Sequence, residues 1–211
     1  MNAPTDNPFA ALERVLLIQR AAFAADRYPS VATRRDRLGR LARIVTQHED
    51  GFVAAIDRDF GHRSAHETRL AELYIVRAEA RHAIRRLSRW MKPQRVATPW
   101  HLLPASARIM HQPVGVVGII SPWNYPVQLA LAPAVAAIAA GNRVMLKPSE
   151  LTPATSSLLA ELVSAAFRED EFAVVEGDAD VGHSFAALAF DHLFFTGSTA
   201  VGRKVAQAAA A

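Results

Sequence analysis

The 211-residue sequence contains no cysteine. A disulfide framework, a cysteine-ligated zinc site and a catalytic thiol are therefore excluded within these residues. The 10 glycines and 12 prolines are too few for a collagen-like chain or for one made mainly of linkers. A composition of 51% hydrophobic and 21% charged residues also excludes a disordered chain. We expect a globular protein of one domain or slightly more, with a sizeable buried core.

Long hydrophobic runs are missing as well. The longest apolar run, residues 129–140, contains Pro133 and is far shorter than the ~20 residues of a membrane-spanning helix. Residues 1–15 lack the basic stretch followed by an apolar stretch that marks a secretory leader. These absences predict a soluble, cytoplasmic protein without a membrane partner.

Positive charge is concentrated in the first half of the chain. Residues 1–100 carry 18 Lys and Arg against 11 Asp and Glu, whereas residues 101–211 carry 6 against 9. A basic half can bind nucleic acid or an acidic membrane surface, but Arg-rich helices with a solvated face produce the same charge. We favour the solvated helices and predict no nucleic-acid partner, because no known DNA-reading motif is present.

The first 92 residues have the spacing of helices. Asn7 and Pro8 form a helix start, Pro29 ends that helix, and Ser30 caps the next one. Further along, two glycines interrupt the pattern, Gly51 and Gly61. A long amphipathic helix is predicted over residues 67–91, with one apolar stripe. The stripe consists of Leu73, Val76, Ala80, Ile84, Leu87 and Met91.

From residue 100 onwards the pattern changes. Residues 101–112 are predicted to be extended, and short β-rich runs then alternate with helices. The predicted strands are 114–120, 143–146, 172–175 and 191–195, and the predicted helices are 126–140, 153–167, one from about 182, and 198–211. Four successive β–α units indicate a parallel sheet with right-handed crossovers. We expect an α/β fold, with a helical segment over residues 1–98 and a Rossmann-like α/β domain over residues 99–211.

Small and polar residues follow each predicted strand. Because the carboxyl ends of parallel strands meet at one edge of a sheet, these segments are placed to share one ligand. The segments are Ser121 to Pro126 after the first strand, Lys147 to Glu150 after the second, Glu176 to Asp178 after the third with Gly182 beyond it, and Thr196 to Gly202 after the fourth.

The residue types in these segments suit a nucleotide. Lys147 can donate to ribose hydroxyls and Glu150 can accept from them. The helix start at Gly197 and Ser198 can approach a phosphate with free backbone N–H groups. The amide of Asn124 can donate to a developing oxyanion.

Each segment taken alone also has a structural interpretation. Residues 122–124 can form a turn with a half-buried aromatic ring, Ser149 can cap a helix, and residues 197–202 can be a helix start packed close to a strand. A phosphate-binding loop of the NTPase type is excluded, because residues 203–205 lack the required Lys-Ser/Thr pair. The eight histidines show no metal-ligand spacing, so no metal site is predicted.

Taken together, the segments resemble the aldehyde dehydrogenase superfamily. The resemblance rests on Pro-Trp-Asn at residues 122–124, Lys-Pro-Ser-Glu from Lys147, and Phe-Thr-Gly-Ser-Thr-x-Val-Gly from Phe195. Asp59-Phe60-Gly61 and Glu67-Thr68 are most similar to the coniferyl aldehyde dehydrogenase branch. The resemblance implies the fold described above and the NAD(P)-dependent oxidation of an aldehyde to a carboxylic acid.

The resemblance also assigns roles to residues. Trp123 and Ser198 would hold the cofactor pyrophosphate, Lys147 and Glu150 the adenosine ribose, and Gly182 and Val201 would line the adenine slot. Asn124 would supply the side-chain half of the oxyanion hole. The full cofactor-binding set is Ile120, Ser121, Pro122, Trp123, Lys147, Ser149, Glu150, Gly177, Gly182, Phe195, Thr196, Gly197, Ser198 and Val201. NAD is favoured over NADP, because the Glu150 carboxylate repels a 2′-phosphate.

Two parts that the family needs are missing from these residues. The family's nucleophile is a cysteine, and its general base is a glutamate in a Leu-Glu-Leu-Gly-Gly segment; the sequence contains neither. We expect the chain to be the N-terminal part of such an enzyme, without the catalytic domain and without aldehyde oxidation on its own. Uncovered apolar surface predicts low stability or a homo-oligomer. The alternatives are a non-catalytic nucleotide- or partner-binding module and, less favoured, a nucleic-acid binder.

Overall fold

The structure, a computed structural model, describes residues 8–210. Its N-terminal part is helical, and a π-helical segment, Thr68–Tyr74, connects α4 to α5. The helices are α1 (Pro8–Ala25), α2 (Val31–Gln47), α3 (Glu49–Phe60), α4 (Ala65–Glu67) and α5 (Ile75–Trp90). Two short antiparallel strands follow, β1 (Gln94–Val96) and β2 (Ala107–Ile109), with a 3-10 turn at Trp100–Leu102 between them.

The rest of the described chain alternates strands and helices, as the sequence predicted. The strands are β3 (Val116–Ile120), β4 (Arg143–Lys147), β5 (Phe172–Val174) and β6 (His192–Phe195). The helices are α6 (Gln128–Ala140), α7 (Pro153–Ala166), α8 (Ala179–Ala186) and α9 (Thr199–Ala209). The predicted α/β fold with N-terminal helices and a parallel sheet is confirmed. No helix among residues 8–210 has the length and apolarity needed to cross a bilayer.

These four strands form one parallel sheet in the order β5-β4-β3-β6. The chain moves outward from β3 through β4 to β5 and then returns to the other side of β3 for β6. The order therefore reverses between β3 and β6, and open α/β sheets bind ligands at this kind of reversal. Ile120 lies opposite Lys147 on one side and Phe195 on the other, so the carboxyl ends of the three strands are level.

Helices cover both faces of the sheet, because successive strand residues point to opposite sides. Val117 and Ile119 pack into the larger core with residues of α2, α5, α6 and α7. Val116 and Met145 point the other way, into a smaller cluster with residues of α1 and α8. The N-terminal helices thus share their core with the sheet. The division of the chain at residues 98 and 99 stays a prediction.

Buried polar contacts also hold α2 against the sheet. Glu171, just before β5, accepts hydrogen bonds from Arg37 at 3.0 Å and from Arg40 at 2.8 Å. Burial by itself would raise the pKa of Glu171, but the hydrogen bonds from Arg40 and Arg37, together with their positive charges, outweigh it and lower this pKa to about 2. Several arginines of the basic half are therefore used within the chain, among them Arg69 and Arg77, which both contact Glu49.

Several local predictions in the helical part are confirmed. The Oγ of Ser30 accepts a hydrogen bond from the N–H of Thr33 and caps α2. Gly61 ends α3 in the left-handed conformation, with φ of 64°. The apolar stripe of the long helix faces the core: four of its residues are buried and two, Ile84 and Met91, are partly buried against it. The predicted start at Asn7 lies outside the described residues.

Other local predictions are wrong. Gly51 does not interrupt a helix: it lies in the first turn of α3, and the break comes at His48. Acidic residues at the start of α3 favour a helix there, and a glycine in a helix costs only about 1 kcal/mol. Residues 101–112 are not extended throughout: they begin within the 3-10 turn at Trp100–Leu102, and their one strand is β2. The helix predicted from about Gly182 begins at Ala179, because Asp178 caps it by accepting from two backbone N–H groups.

Candidate functional site

A cavity of about 440 Å³ lies at the carboxyl edge of the sheet, between the ends of β3 and β4 and the helices α8 and α9. Five of the predicted cofactor-binding residues line this cavity. They are Ile120, Lys147, Glu150, Gly182 and Val201. The structure therefore brings together residues of the second and fourth predicted segments, the last residue of β3 and Gly182 on the helix after β5. This size and mixed lining are typical of small-ligand sites.

Six further residues of the cavity were not predicted from the sequence. They are Ala179, Asp180, His183, Ala186, Lys204 and Val205. Most of them lie three or four residues from Gly182 on α8 or from Val201 on α9, so they share a helix face with a predicted residue. Helical spacing from these two positions was the signal that could have found them.

Lys147 and Glu150 form an ion pair on the cavity wall. The Lys147 Nζ lies 2.7 Å from the Glu150 Oε2, and the Lys147 side chain is only 4% exposed whereas that of Glu150 is 43% exposed. Partial burial is the largest single influence on Glu150 and acts to raise its pKa, but the hydrogen bond from Lys147, a backbone hydrogen bond and the Lys147 charge together outweigh it, and the net pKa is lowered. Glu150 is therefore a carboxylate at neutral pH, and Lys147 keeps further N–H donors for a ligand.

Ser149 lies beneath this pair and is buried. Its Oγ accepts from the N–H of Leu151 at 3.2 Å, and its carbonyl accepts from the Oγ of Ser156 at 2.9 Å. The alternative that Ser149 caps the next helix is wrong. α7 begins at Pro153, and its first N–H groups donate instead to Asp59, a residue of α3. Ser149 shapes the turn that carries Lys147 and Glu150.

The segment after β3 is exposed at its centre and anchored at its base. Ser121 is buried, and its N–H donates to the carbonyl of Lys147. The Ser121 Oγ has no hydrogen-bond partner among the described residues. Trp123 is half exposed and its ring lies 6.1 Å from that of Phe60. Asn124 is exposed, and its carbonyl accepts from Arg63 at 2.7 Å. Polar groups at a strand end are thus available to a ligand.

The segments after β5 and β6 approach neighbouring atoms closely. Gly177 has φ of 153°, and a Cβ at this position would lie 2.6 Å from the Cβ of Val181. A Cβ on Gly197 would lie 2.5 Å from the Phe195 ring. Ser198 caps α9 by accepting from the N–H of Val201, so residues 197–202 are a helix start packed against a strand. A helix start of this kind can also bind phosphate.

Two further predicted residues, Thr196 and Pro122, do not line the cavity. The N–H of Thr196 donates to the carbonyl of Ile120, which extends the pairing of β6 with β3 by one bond. Pro122 is partly buried. Among residues 8–210, no three His, Asp or Glu side chains gather into a group that could hold a metal ion.

Comparison with known proteins points to one family. The chain matches the aldehyde dehydrogenase family over residues 10–211. It is 48% identical over 199 residues to a protein of Pseudomonas aeruginosa and 44% identical over 217 residues to one of Caulobacter vibrioides, both named probable coniferyl aldehyde dehydrogenase. These alignments cover 94% and 100% of this chain but only 42% and 45% of the relatives. The chain therefore spans less than half their length.

A solved structure has the same fold over the whole of this chain. The substrate-bound AldH of Staphylococcus aureus matches with a TM-score of 0.91 and 32% identity, over 100% of this chain and 44% of that one. The resemblance drawn from the strand-end segments is confirmed, and the two relatives named above confirm its similarity to coniferyl aldehyde dehydrogenases.

Proposed function

We propose, because this chain belongs to the aldehyde dehydrogenase family, that it forms the dinucleotide-binding part of an enzyme that oxidises an aldehyde to a carboxylic acid. The observation that carries the proposal is the cavity at the carboxyl edge of the sheet. Five residues of the predicted cofactor-binding set line that one cavity. Its position beside the reversal of strand order is the one at which sheets of this type bind dinucleotides.

The residues present fit the adenosine half of NAD. Lys147 and Glu150 are proposed to hold the ribose, the lysine as donor and the carboxylate as acceptor. Gly182 is proposed to leave space for the adenine, because it lines the cavity without a side chain; a Cβ there would lie 3.7 Å from the Lys147 side chain. Val201 and Ile120 supply apolar walls. When bound, the nicotinamide end of the cofactor accepts a hydride.

The exposed segments are proposed to serve the rest of the cofactor and the aldehyde. The indole N–H of Trp123 and the helix start at Ser198 hold the pyrophosphate. The amide of Asn124 donates to the oxyanion that develops on the aldehyde. The remaining members of the set shape the sheet edge around them. These are Ser121, Pro122, Ser149, Gly177, Phe195, Thr196 and Gly197.

NAD is the proposed cofactor in preference to NADP. Glu150 stays ionised because of its hydrogen bond with Lys147, and a 2′-phosphate at the same ribose would meet its negative charge. A carboxylate that accepts from the free 2′-hydroxyl is the usual determinant of NAD preference in dinucleotide folds.

The substrate and partners of the whole protein belong to the same proposal. Two relatives are named for coniferyl aldehyde, so we propose an aromatic aldehyde as substrate. A thiol nucleophile would have to come from sequence other than these 211 residues, which contain no cysteine. A homo-oligomer is proposed because β6 is an edge strand with exposed residues and α9 has no buried residue.

NAD titration of the 211-residue chain tests the cofactor site. Calorimetry and Trp fluorescence are the two readouts of binding. The wild-type chain is expected to bind, and Lys147→Ala is expected to weaken binding at least tenfold. Arg203→Ala, an exposed change on α9, is the matched control and is expected to bind like the wild type. No binding by a folded wild-type chain at millimolar NAD, or equal affinity for the Lys147→Ala variant, would contradict the proposal.

The absence of cysteine favours a second candidate, a protein that binds a nucleotide without turning over an aldehyde. Both candidates predict that the 211-residue chain alone forms no NADH with an aromatic aldehyde above a buffer control. The nucleotide sequence after codon 211 distinguishes them. A reading frame there, in any phase, that encodes the Leu-Glu-Leu-Gly-Gly and cysteine segments supports the enzyme, and its absence supports the binding protein.

A further inference from the structure

Arg63 joins the helical part of the chain to the segment after β3. It lies between α3 and α4, and its side chain is only 7% exposed. Its Nη1 donates to the carbonyl of Asn124 at 2.7 Å, and its Nη2 donates to Glu67 at 3.2 Å. The residue therefore fixes the backbone at Asn124, whose side chain is the proposed oxyanion donor.

Aromatic rings enclose the same guanidinium. The Arg63 Cζ lies 4.8 Å from the centre of the Phe60 ring and 4.6 Å from that of Tyr125. Both distances are within the range of cation–π contacts, which strengthen when water is excluded. Phe60 also packs against Trp123. Arg63 is therefore connected to both neighbours of Asn124, through Tyr125 directly and through Phe60 to Trp123.

Glu72 anchors the other end of this segment. It is fully buried in the π-helical segment, and its Oε2 accepts from the N–H of Val127 at 2.7 Å and from that of Gln128 at 3.2 Å. Its Oε1 lies 3.5 Å from the Nη2 of Arg63. A buried carboxylate needs such partners, because its desolvation is costly. The Arg63–Glu72 ion pair therefore holds this segment at two points. Arg63 binds it at Asn124, and Glu72 binds it at Val127, just before α6 begins.

We propose that Arg63, together with Glu72, is a positioning residue that sets the place of Trp123 and Asn124 at the sheet edge. A donor held in advance stabilises developing charge better than one that must reorient, and small misplacements weaken catalysis strongly. Arg63 itself contacts neither cofactor nor substrate in this role. The functional meaning of the proposal rests on the proposed dehydrogenase, whereas the positioning itself is a property of the chain.

The positioning can be measured without any ligand. With Trp90 and Trp100 replaced by Phe, Trp123 is the only indole of the chain, and its emission reports on the segment. Arg63→Met is expected to shift this emission to longer wavelength, to increase acrylamide quenching at least twofold, and to speed hydrogen exchange over residues 121–128 at least tenfold. Arg35→Met is the matched control, because Arg35 also donates to a backbone carbonyl but on α5.

Two further variants keep the test decisive if Arg63→Met unfolds. Arg63→Lys retains the charge and is expected to restore most of the wild-type emission. Glu72→Gln can still accept from Val127 but loses the ion pair, so it is expected to loosen Trp123 while the exchange of the Val127 and Gln128 amides changes less. Emission and exchange equal to those of Arg35→Met in every folded Arg63 and Glu72 variant would overturn the proposal.

NAD titration of the same variants separates this proposal from the proposed function. If the wild-type chain binds NAD, Arg63→Met is expected to weaken binding at least threefold and Arg35→Met to leave it unchanged. If the folded wild-type chain does not bind NAD, the proposed function fails while emission and exchange still decide the role of Arg63. A loosened segment with unchanged NAD affinity would overturn the link between Arg63 and the cofactor site.

Discussion

The carboxylate of Asp59, near the end of α3, caps the first turn of α7 through Thr155. The Asp59 Oδ2 accepts from the N–H of Thr155 at 2.8 Å and from its Oγ1 at 2.7 Å, while Oδ1 accepts from the N–H of Ala154 at 2.9 Å. The negative charge lies at the positive end of the helix dipole. Because α7 follows the turn that carries Lys147 and Glu150, this contact ties the cavity wall to the N-terminal helices.

Loss of this cap should lower stability. Asp59→Ala is expected to reduce the free energy of unfolding by about 1–2 kcal/mol, because the N–H groups of Ala154 and Thr155 lose their acceptor. Urea denaturation followed by circular dichroism measures the change. Asp57→Ala, an exposed substitution on the same helix, should change it by less than about 0.5 kcal/mol. Equal effects of the two substitutions would show that the cap contributes nothing specific.

Cofactor preference should depend on the charge of Glu150. Glu150→Gln removes the carboxylate that opposes a 2′-phosphate, so the preference for NAD over NADP is expected to fall by about tenfold. Calorimetric titration with both nucleotides gives the two dissociation constants. Glu161→Gln on α7 is the control, since Glu161 is exposed and is not a wall of the cavity. An unchanged ratio for Glu150→Gln would mean that this carboxylate does not set the preference.

Two glycines near the cavity should respond differently to the same methyl group. Gly182→Ala is expected to keep wild-type stability, because the new Cβ makes ordinary contact, but to weaken NAD binding by filling the cavity. Gly177→Ala is expected to lower the free energy of unfolding by more than about 1 kcal/mol, since φ of 153° is strained for alanine and Val181 is too close. Thermal melting and NAD titration of both variants separate the effects. Strong NAD binding by the Gly182→Ala variant would place the adenine elsewhere.

Acid should destabilise the chain partly through Glu171. Its pKa is lowered to about 2 in the folded state, below the unfolded value of about 4.3, so the ionised form favours folding. This contribution is present above the unfolded pKa and is lost as the pH falls through the folded one. The melting temperature of the wild type is therefore expected to fall between about pH 4.5 and pH 2.

The Glu171→Gln variant tests whether this residue causes the acid dependence of the melting temperature. This variant should be less stable at pH 7 by about 3 kcal/mol, because Arg37 and Arg40 lose a buried carboxylate, and its melting temperature should depend less on acid pH. Glu169→Gln is the control, because Glu169 forms a more exposed ion pair with Arg14. If the melting temperatures of the wild type and the Glu171→Gln variant fall equally with pH, Glu171 does not contribute to the acid destabilisation.

Local patterns in the sequence were enough to locate the elements around the site. The apolar run at residues 114–120 and the helix ended by Gly141 lie within two residues of where the structure has them. Lys147, Glu150 and Val201 were found because parallel strands bring their carboxyl ends to one edge. The start of α8 was placed at about Gly182 instead of Ala179, because the cap at Asp178 was not predicted from the sequence.

Contacts between distant residues could not be predicted in the same way. Asp59 was noted only as part of a family-like segment, and nothing in its neighbourhood indicates that it caps a helix 95 residues later. Arg63 and Glu72 were not singled out, because their partners at Asn124 and Val127 are brought near by packing alone. The π-helical segment around Glu72 was not predicted either, because the apolar stripe that indicated the helix begins only at Leu73, near the end of that segment.

The sequence by itself determined the order of strands and helices, the polar residues at strand ends and the lack of a thiol, because each depends on residue type and short spacing. Only the tertiary structure decided the strand order β5-β4-β3-β6, the pairing of Lys147 with Glu150, and the buried partners that hold Asn124 in place. Those features depend on which faces pack together when apolar surface leaves water, and that choice is made by the whole chain.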